Sequence, residues 1–433
     1  MWKISYRMFR AVTAASYWLN RHLTPAGMLV VAGTILTGAL GVDTTLSVAY
    51  QAFGFLAALV AVAAIALPVL RTRVTVEREL PHAVTAGEPF TYRARVSNRG
   101  TSPVDGLSLI EDLPDPRPSL ERFRAAAAFP TYRAWQRLVN ASRMAQVAEQ
   151  PLPALMPGAS AEVEMRAQAL KRGIVHSPGL VVARADPIGL LKSLWPVRRQ
   201  ANLVVLPRRY PLPPLALPGL RRYQQGGVAL ATSVGDSEEF LSLRDYRPGD
   251  PLQRIHWKSF ARACRPVVRE YQDEYFERYA LVLDTFAERG AERRFEEAVA
   301  VAASFACTIE TRECLLDLMF IGADAYCYTT GRGQFSAGSL LELLAGVRPC
   351  RDRPFSALHA AVLARRQALS GCICVLLAWD EPRQEFARAL RALGIAVRVI
   401  VVSEAPVADA PAWLAVVEPG RIEQGLAMRQ TWA

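Results

Sequence analysis

The sequence predicts a membrane α-helical hairpin followed by a cytosolic β-sandwich and a doubly wound α/β domain. Three observations support this fold class. Two long uncharged stretches lie near the N-terminus, alternating apolar and polar residues follow them, and strand-like and helix-like segments then alternate toward the C-terminus. A chain of 433 residues is longer than one compact core usually holds, and its 51% hydrophobic content excludes a disordered protein.

The uncharged stretches run from 23 to 42 and from 44 to 70, and only Asp43 interrupts them. Each is long enough to cross a hydrocarbon core of about 30 Å. We therefore predict two transmembrane helices within 23–70, joined by a tight turn that places the Asp43 carboxylate in water. Two buried core helices would have a similar composition. A cleaved signal peptide fits less well, because a second apolar stretch follows at once.

Basic residues flank this hairpin on both sides. The segment 1–22 carries four of them and no acid, and Arg71 and Arg73 follow the second stretch. Positively charged flanks stay in the cytoplasm. We therefore expect a multi-pass protein of the inner (plasma) membrane, in contact with the lipid bilayer, with a cytoplasmic N-terminus and a cytoplasmic C-terminal bulk. The seven cysteines form no CxxC pair, which fits reduced thiols, and no zinc-ligand spacing occurs.

Residues 74–207 have the two-residue period of half-buried strands. Apolar Phe90, Tyr92, Ala94 and Val96 alternate with polar neighbours, and residues 161–169 repeat the alternation. Turn residues separate these runs, so we predict an antiparallel β-sandwich. The pattern becomes helical between 116 and 151, which predicts a helical insertion whose role the sequence does not indicate.

A proline-rich stretch after 207 marks the next boundary, so residues 208–277 are interpreted as a linker and a signature segment. Residues 278–420 then alternate between short apolar strands and helices, which predicts a mostly parallel, doubly wound sheet with its sites at the carboxyl ends of the strands. The predicted strands are 280–284, 315–321, 372–378 and 395–402, and the predicted helices are 291–310, 340–347, 355–369 and 383–393. Residues 421–433 are interpreted as a tail.

A dense string of charged and aromatic residues lies just before the α/β domain. Its elements are Glu239-Phe240, Leu243-Arg244-Asp245-Tyr246, Pro248-Gly249-Asp250, Arg254-Ile255-His256-Trp257-Lys258 and Ala261-Arg262. This string resembles the signature of the bacterial "domain of unknown function 58" family, and the two-span start is similar as well. The resemblance implies a membrane-tethered protein with a β-sandwich and a von Willebrand factor A-like domain. It also implies association with a MoxR-type AAA+ ATPase, and no established enzymatic activity.

The same string offers groups for acid–base or metal chemistry, so a hydrolase or nuclease using residues 238–258 is the alternative reading, with Glu238, Glu239, Asp250 and Lys258 among its groups. We favour an interaction site without catalytic residues. The Pro248-Gly249 turn and aromatic anchors suit a strap between domains, in which arginines pair with carboxylates. The expected interaction residues are Glu239, Phe240, Arg244, Tyr246, Gly249, Asp250, Arg254, His256, Trp257, Lys258 and Arg262.

The resemblance to von Willebrand factor A-like domains also implies where a divalent metal would bind. Asp284 and Asp380 stand at carboxylate positions of that motif, but Phe286 and Glu288 replace its hydroxyl ligands, and the nearest later hydroxyl is that of Ser356. The oxygen ligands that Mg²⁺ requires are therefore incomplete. We expect no metal or weak Mg²⁺ binding, no other cofactor, and no small-molecule substrate.

The net charge of +11 alone suggests a nucleic-acid binder. Arginine runs with adjacent aromatics occur only at 208–210 and 221–223, and attraction to anionic lipid explains them equally well. We therefore expect no nucleic-acid partner. The sequence favours a membrane-anchored adaptor with a cytosolic docking face, and the family resemblance implies that this face binds a MoxR-type AAA+ ATPase or its client.

Overall fold

A computed structural model describes residues 1–40, 47–70, 72–212, 240–250, 252–271, 277–309, 314–330, 337–405, 407, 410–411 and 413–427. The chain divides into two compact units. One comprises Met1–Arg209 with Leu341–Val347, and the other comprises Tyr210–Leu340 with Arg348–Ala433.

Three helices begin the first unit: α1 (Trp2–His22), α2 (Pro25–Leu40) and α3 (Ser47–Ala66). The helices α2 and α3 pack antiparallel, since Gly33 lies opposite Leu56 and Gly38 lies opposite Phe53. A Cβ atom at Gly38 would lie 3.1 Å from the Phe53 ring, so the close approach favours glycine. Among the described helices, one segment, Val48–Ala66, is long and apolar enough to cross a membrane, while α2 is apolar but has 16 residues. The predicted tip at Asp43 lies outside the described residues.

The chain between residues 74 and 207 forms two packed β-sheets, where the sequence predicts a β-sandwich. Its sheets have the orders β1-β3-β7-β5 and β2-β9-β8-β4-β6. Alternating side chains of both sheets share one core, in which Tyr92 and Val96 of the first sheet pack with Leu109 and Leu180 of the second. The elements are β1 (Val74–Glu79), β2 (Ala83–Thr85), β3 (Pro89–Asn98), β4 (Leu107–Asp112), α4 (Leu120–Ala126), α5 (Tyr132–Ser142), β5 (Ala145–Val147), β6 (Gln150–Pro151), β7 (Ser160–Ala169), β8 (Gly173–Ala185) and β9 (Lys192–Leu206).

The helical insertion has a structural role that the sequence did not indicate. Its helices α4 and α5 bury Phe123 and Trp135 in a cluster with Phe9 of α1. The indole N–H of Trp135 donates to Thr13 Oγ1 at 2.8 Å. The insertion therefore holds α1 against the sandwich. Its helical part ends at Ser142, and the short strands β5 and β6 follow, the second of them ending at Pro151.

The second unit contains a two-stranded sheet and a larger α/β sheet. Its elements are β10 (Phe240–Asp245), α6 (Trp257–Ala263), β11 (Val267–Tyr271), β12 (Glu277–Leu283), α7 (Glu292–Thr308), β13 (Cys314–Ile321), β14 (Ala325–Thr330), α8 (Ala337–Gly346), α9 (Ser356–Leu363), β15 (Gly371–Leu376), α10 (Glu381–Ala392), β16 (Ala396–Val402), β17 (Leu414–Val417) and α11 (Ile422–Ala427). The larger sheet has the order β14-β13-β12-β15-β16-β17, and β14 is its antiparallel strand.

Helices cover both faces of the larger sheet. Ala280 and Val282 of β12 share a core with Leu358 of α9 and Phe386 of α10. Helix α7 packs against β12, β15 and β16 and contributes nothing to that core, so it covers the opposite face. The sequence pattern predicted neither β14 nor β17, which are the two edge strands. The prediction of a mixed α/β architecture is confirmed.

Candidate functional site

The strand order places a candidate site at the carboxyl ends of β12 and β15. The chain winds from β12 to β13 and β14 on one side, and from β15 to β16 and β17 on the other. Ligands of open α/β sheets bind where the strand order reverses in this way. Asp284 follows β12 and Asp380 precedes α10, so the two carboxylates predicted from sequence meet at this point.

The Asp284 side chain is fully buried, with 0% of its surface exposed. Its Oδ1 accepts a hydrogen bond from the Phe286 N–H at 2.9 Å, and its Oδ2 accepts one from the Leu377 N–H at 3.1 Å. The same Oδ2 accepts a third bond from Arg383 Nε at 2.6 Å. Backbone donors from two loops and one buried cation therefore satisfy this carboxylate.

Arg383 lies between the two carboxylates. Its Nη1 donates to Asp380 Oδ2 at 2.6 Å, and its guanidinium lies 4.8 Å from the centroid of the Phe355 ring. Burial opposes the charge of Arg383, but attraction to Asp284 and Asp380 and the hydrogen bonds to both raise the pKa of Arg383 above its usual value. The guanidinium thus takes the position in which a divalent cation would neutralise the two carboxylates.

Sequence reasoning missed Arg383. The available signal was its spacing, because Asp380 is the N-cap of α10 and accepts from the Arg383 N–H at 3.3 Å. A capping aspartate places a residue three positions later beside it. That spacing does not show that the side chain also reaches Asp284, 99 positions away in sequence.

The remaining side chains of the expected metal motif make other contacts or are exposed. Thr285 Oγ1 is buried and donates to the Ile321 carbonyl at 2.6 Å, whereas Glu288 and Ser356 are exposed. Within the part of the chain that the structure describes, no three side chains of His, Cys, Asp and Glu are grouped so as to hold a metal ion.

The signature module, residues 240–271, forms a second candidate site. Its strands β10 and β11 pair antiparallel, and a tight turn, a short 3₁₀ turn and α6 lie between them. Gly249 has φ +107°, a conformation that disfavours residues with a Cβ atom. Among its described side chains, those buried are Ile255, Val267 and Val268. The module therefore has a very small core and a large exposed surface.

A forked ion pair closes the turn of the module. Arg244 Nη1 and Nη2 donate to the two oxygens of Asp250 at 2.7 and 2.8 Å, and the Arg247 N–H donates to Asp250 Oδ2 at 2.9 Å. The hydrogen bonds from Arg244 and then Arg247 lower the pKa of Asp250 from 3.8 to about 2. Such a paired carboxylate suits a structural role better than that of a general base, which needs a pKa near the working pH.

The other predicted residues of the module are dispersed. His256 Nδ1 lies 2.6 Å from Ser259 Oγ at the start of α6. Lys258 and Arg262 are exposed, and Tyr246 is half-buried. The side chains of Phe240 and Arg254 lie outside the described part of the chain, as do residues 238 and 239.

Trp257 is one of the expected interaction residues and lies on the surface of the module. Its side chain is 63% exposed on α6 and meets Phe260 edge to face, with ring centroids 6.0 Å apart. We call this pair the aromatic face. The module that carries it contains seven Lys and Arg residues against three Asp and Glu residues. An exposed aromatic pair in a basic setting is typical of a protein-docking surface.

Part of the second unit is similar to a known family. Residues 242–410 match the model of the family described as "Protein of unknown function DUF58". The chain is 25% identical over 178 residues to "Uncharacterized protein YeaD" of Bacillus subtilis (strain 168), a match that covers 40% of this chain. It covers 42% of that protein, so the chain spans about two fifths of the length of this curated relative.

Similarity to solved structures is low. The CARDB domain of PF1109 from Pyrococcus furiosus is 10% identical, with 30% of this chain and 94% of that domain covered and a TM-score of 0.16. The ASH/PapD-like domain of human CEP192 is 12% identical, with 32% and 87% covered and a TM-score of 0.18. Similarities of this size support no argument about fold or function.

The ion pair in the module predicts an acidic titration. Because the folded-state pKa of Asp250 lies below its ordinary value, the stability it contributes is present above about pH 4 and is lost as the pH falls through about 2. Carbon-13 NMR of aspartate-labelled protein should show a carboxyl midpoint near 2 that disappears in Asp250→Asn. In Arg244→Gln the midpoint should rise toward 3.8. A wild-type midpoint already near 3.8 would contradict the forked pair.

The buried cation predicts a large stability effect. Arg383→Met leaves the Asp284 carboxylate buried without its cation, which should lower the free energy of unfolding by about 3–5 kcal/mol. Arg388→Met is the matched control, because Arg388 lies on the same helix in an exposed ion pair with Glu381, and its loss should cost less than about 1 kcal/mol. Urea unfolding measures both variants. Equal costs would show that Arg383 does not neutralise Asp284.

Proposed function

We propose that this protein is a membrane-anchored, non-enzymatic adaptor that presents a cytosolic docking face to a MoxR-type AAA+ ATPase or to its client. One observation carries the proposal: the aromatic face stands exposed on a basic module, within the residues that match the family model. The choice of an AAA+ ATPase follows from the family resemblance of the signature string.

In this proposal α2 and α3 form a two-span anchor. Both helices expose large apolar side chains along their length, among them Leu29, Ile35, Phe55 and Ile65. Such continuous apolar surface is unfavourable in water. Their antiparallel packing suits a hairpin that enters and leaves by the same side. The basic flanks before α2 and after α3 then keep both ends in the cytosol.

The topology of the α/β sheet favours the proposal that this domain is von Willebrand factor A-like. Its strand order, with Asp284 and Asp380 at the reversal point, is compatible with the carboxylate positions of that motif. Since Arg383 lies between these carboxylates, we propose that the domain docks without a divalent metal. Chelators should then leave partner binding unchanged.

The aromatic face supplies the chemistry of a binding hot spot. Tryptophan and arginine are the residues whose truncation costs most at protein interfaces. Exposed Lys258, Arg262, Arg265 and Arg269 on the module would attract an acidic partner surface and speed its association. A hydrolase or nuclease remains the alternative, but Asp250 is engaged by Arg244 and Arg247, and no observation on the described residues favours it.

The membrane topology gives the first prediction of this proposal. Green fluorescent protein fused after Ala433 should fluoresce, and alkaline phosphatase at the same site should be inactive, because the C-terminal bulk is cytosolic. As the control, alkaline phosphatase fused after Asp43 should be active, since the hairpin tip faces the other side. An active phosphatase after Ala433 would contradict the orientation.

The aromatic face gives the second prediction. The double variant Trp257→Ala, Phe260→Ala should weaken capture of a purified MoxR-type ATPase by at least about 30-fold, corresponding to a hot spot of about 2 kcal/mol. Biolayer interferometry with the full chain in nanodiscs measures this affinity. Folding should be unaffected, because both side chains are exposed.

Leu393→Ala is the matched control, since Leu393 is an exposed apolar residue at the end of α10, outside the module. It should leave capture unchanged. If the double variant captures the ATPase as well as the wild type does, the aromatic face is not the docking surface. A hydrolytic activity that Asp250→Asn or His256→Gln abolishes while capture persists would favour the enzyme instead.

A further inference from the structure

We infer that α1 is an interfacial helix whose outer stripe, Ile4, Met8, Val12, Ala15 and Leu19, lies in the headgroup region of an anionic lipid bilayer. The inference rests on the proposed membrane anchoring by α2 and α3 and goes beyond it, because it assigns a lipid-binding surface to a helix that does not cross the membrane.

The side of α1 that faces the protein is already occupied. Trp2, Tyr6 and Phe9 pack with Phe123 and Trp135 of the helical insertion. These contacts, with the Trp135–Thr13 hydrogen bond, fix the rotation of α1 about its own axis. The side chains on the other side of α1 therefore point away from the helical insertion.

The outer stripe is apolar and exposed. Ile4 is 74% and Met8 is 53% exposed, and Val12, Ala15 and Leu19 are exposed as well. At 3.6 residues per turn these five positions fall within about a quarter of the helix circumference. An apolar stripe this narrow and continuous, on a side of the helix separate from its packed face, is typical of helices that lie in the membrane interface.

The charges of α1 fit an anionic surface. Lys3, Arg7 and Arg10 lie on the strip between the packed face and the outer stripe, and the first acidic residue of the chain is Asp43. Basic side chains beside an apolar stripe can reach lipid phosphates while the stripe contacts acyl chains. This charge complementarity favours anionic lipid over a second protein surface.

The end of α1 is continuous with the membrane anchor. Only Leu23 and Thr24 separate His22 from the start of α2, so the last turn of α1 would lie at the bilayer surface if α2 enters the bilayer. Tyr17 and Trp18 are exposed in that last part of the helix. Tyrosine and tryptophan are enriched at the membrane–water interface, where their rings sit at the headgroup level.

Spin-label depth measurements on the full chain in nanodiscs test the inference. The label is placed at Met8→Cys on the outer stripe, or at Ser16→Cys on a different exposed side of α1, in a background with the exposed Cys264 and Cys307 changed to serine. In discs of phosphatidylglycerol, the label at position 8 should collide severalfold more with oxygen relative to water-soluble nickel chelate than the label at position 16. Discs of phosphatidylcholine should reduce this difference, as should Lys3→Gln, Arg7→Gln, Arg10→Gln.

Equal collision ratios at positions 8 and 16 in phosphatidylglycerol, in chains that have entered the discs, would overturn the inference and leave the anchoring intact. Protection of position 8 from both reagents in either lipid would place protein on the stripe, which also overturns it. Failure of the chain to enter discs is scored separately by size-exclusion chromatography. That result would overturn the anchoring and this inference together.

Discussion

The guanidinium of Arg383 lies between the carboxylates of Asp284 and Asp380 and pairs with both. The structure at the carboxyl ends of β12 and β15 depends on this one interaction. Asp284 is fully buried directly after β12, and a carboxylate there requires a cation nearby. Because Arg383 belongs to the first turn of α10, the ion pair ties that helix to the central strand β12. The loops after β12 and β15 are joined to the same carboxylate through the N–H groups of Phe286 and Leu377.

In this account, the buried network stabilises the second unit and the aromatic face is its binding surface. At the reversal point of the sheet, where ligands of α/β proteins usually bind, the chain supplies its own cation. The module that precedes the sheet in sequence instead presents exposed Trp257 and Phe260, and one of its three acidic residues, Asp250, is held by Arg244. The surface available to a partner is thus aromatic and basic. This distribution is the observation from which we propose an adaptor.

Much of the fold followed from the sequence because its periods are strong. Alternation around Tyr92 predicted the sandwich, and short apolar strands alternating with helices predicted a mostly parallel sheet. That Asp284 and Asp380 belong to one site was implied only by the resemblance to von Willebrand factor A-like domains. The edge strands β14 and β17 were missed, since edge strands are short or half-buried and carry weaker patterns. The role of Arg383 and the exposure of Trp257 were not foreseen, for a different reason. Which long side chain reaches a buried carboxylate, and which aromatic residue stays exposed, depends on tertiary packing that local sequence does not encode.

The central claim is that Arg383 takes the place of a divalent cation. Crystals of the protein soaked in Mn²⁺, with anomalous diffraction recorded at the manganese edge, test it most directly. The account predicts guanidinium density between Asp284 and Asp380 and no anomalous peak within coordination distance of either carboxylate. A manganese peak bound to Asp284 and Asp380, with the Arg383 side chain turned away, would contradict it.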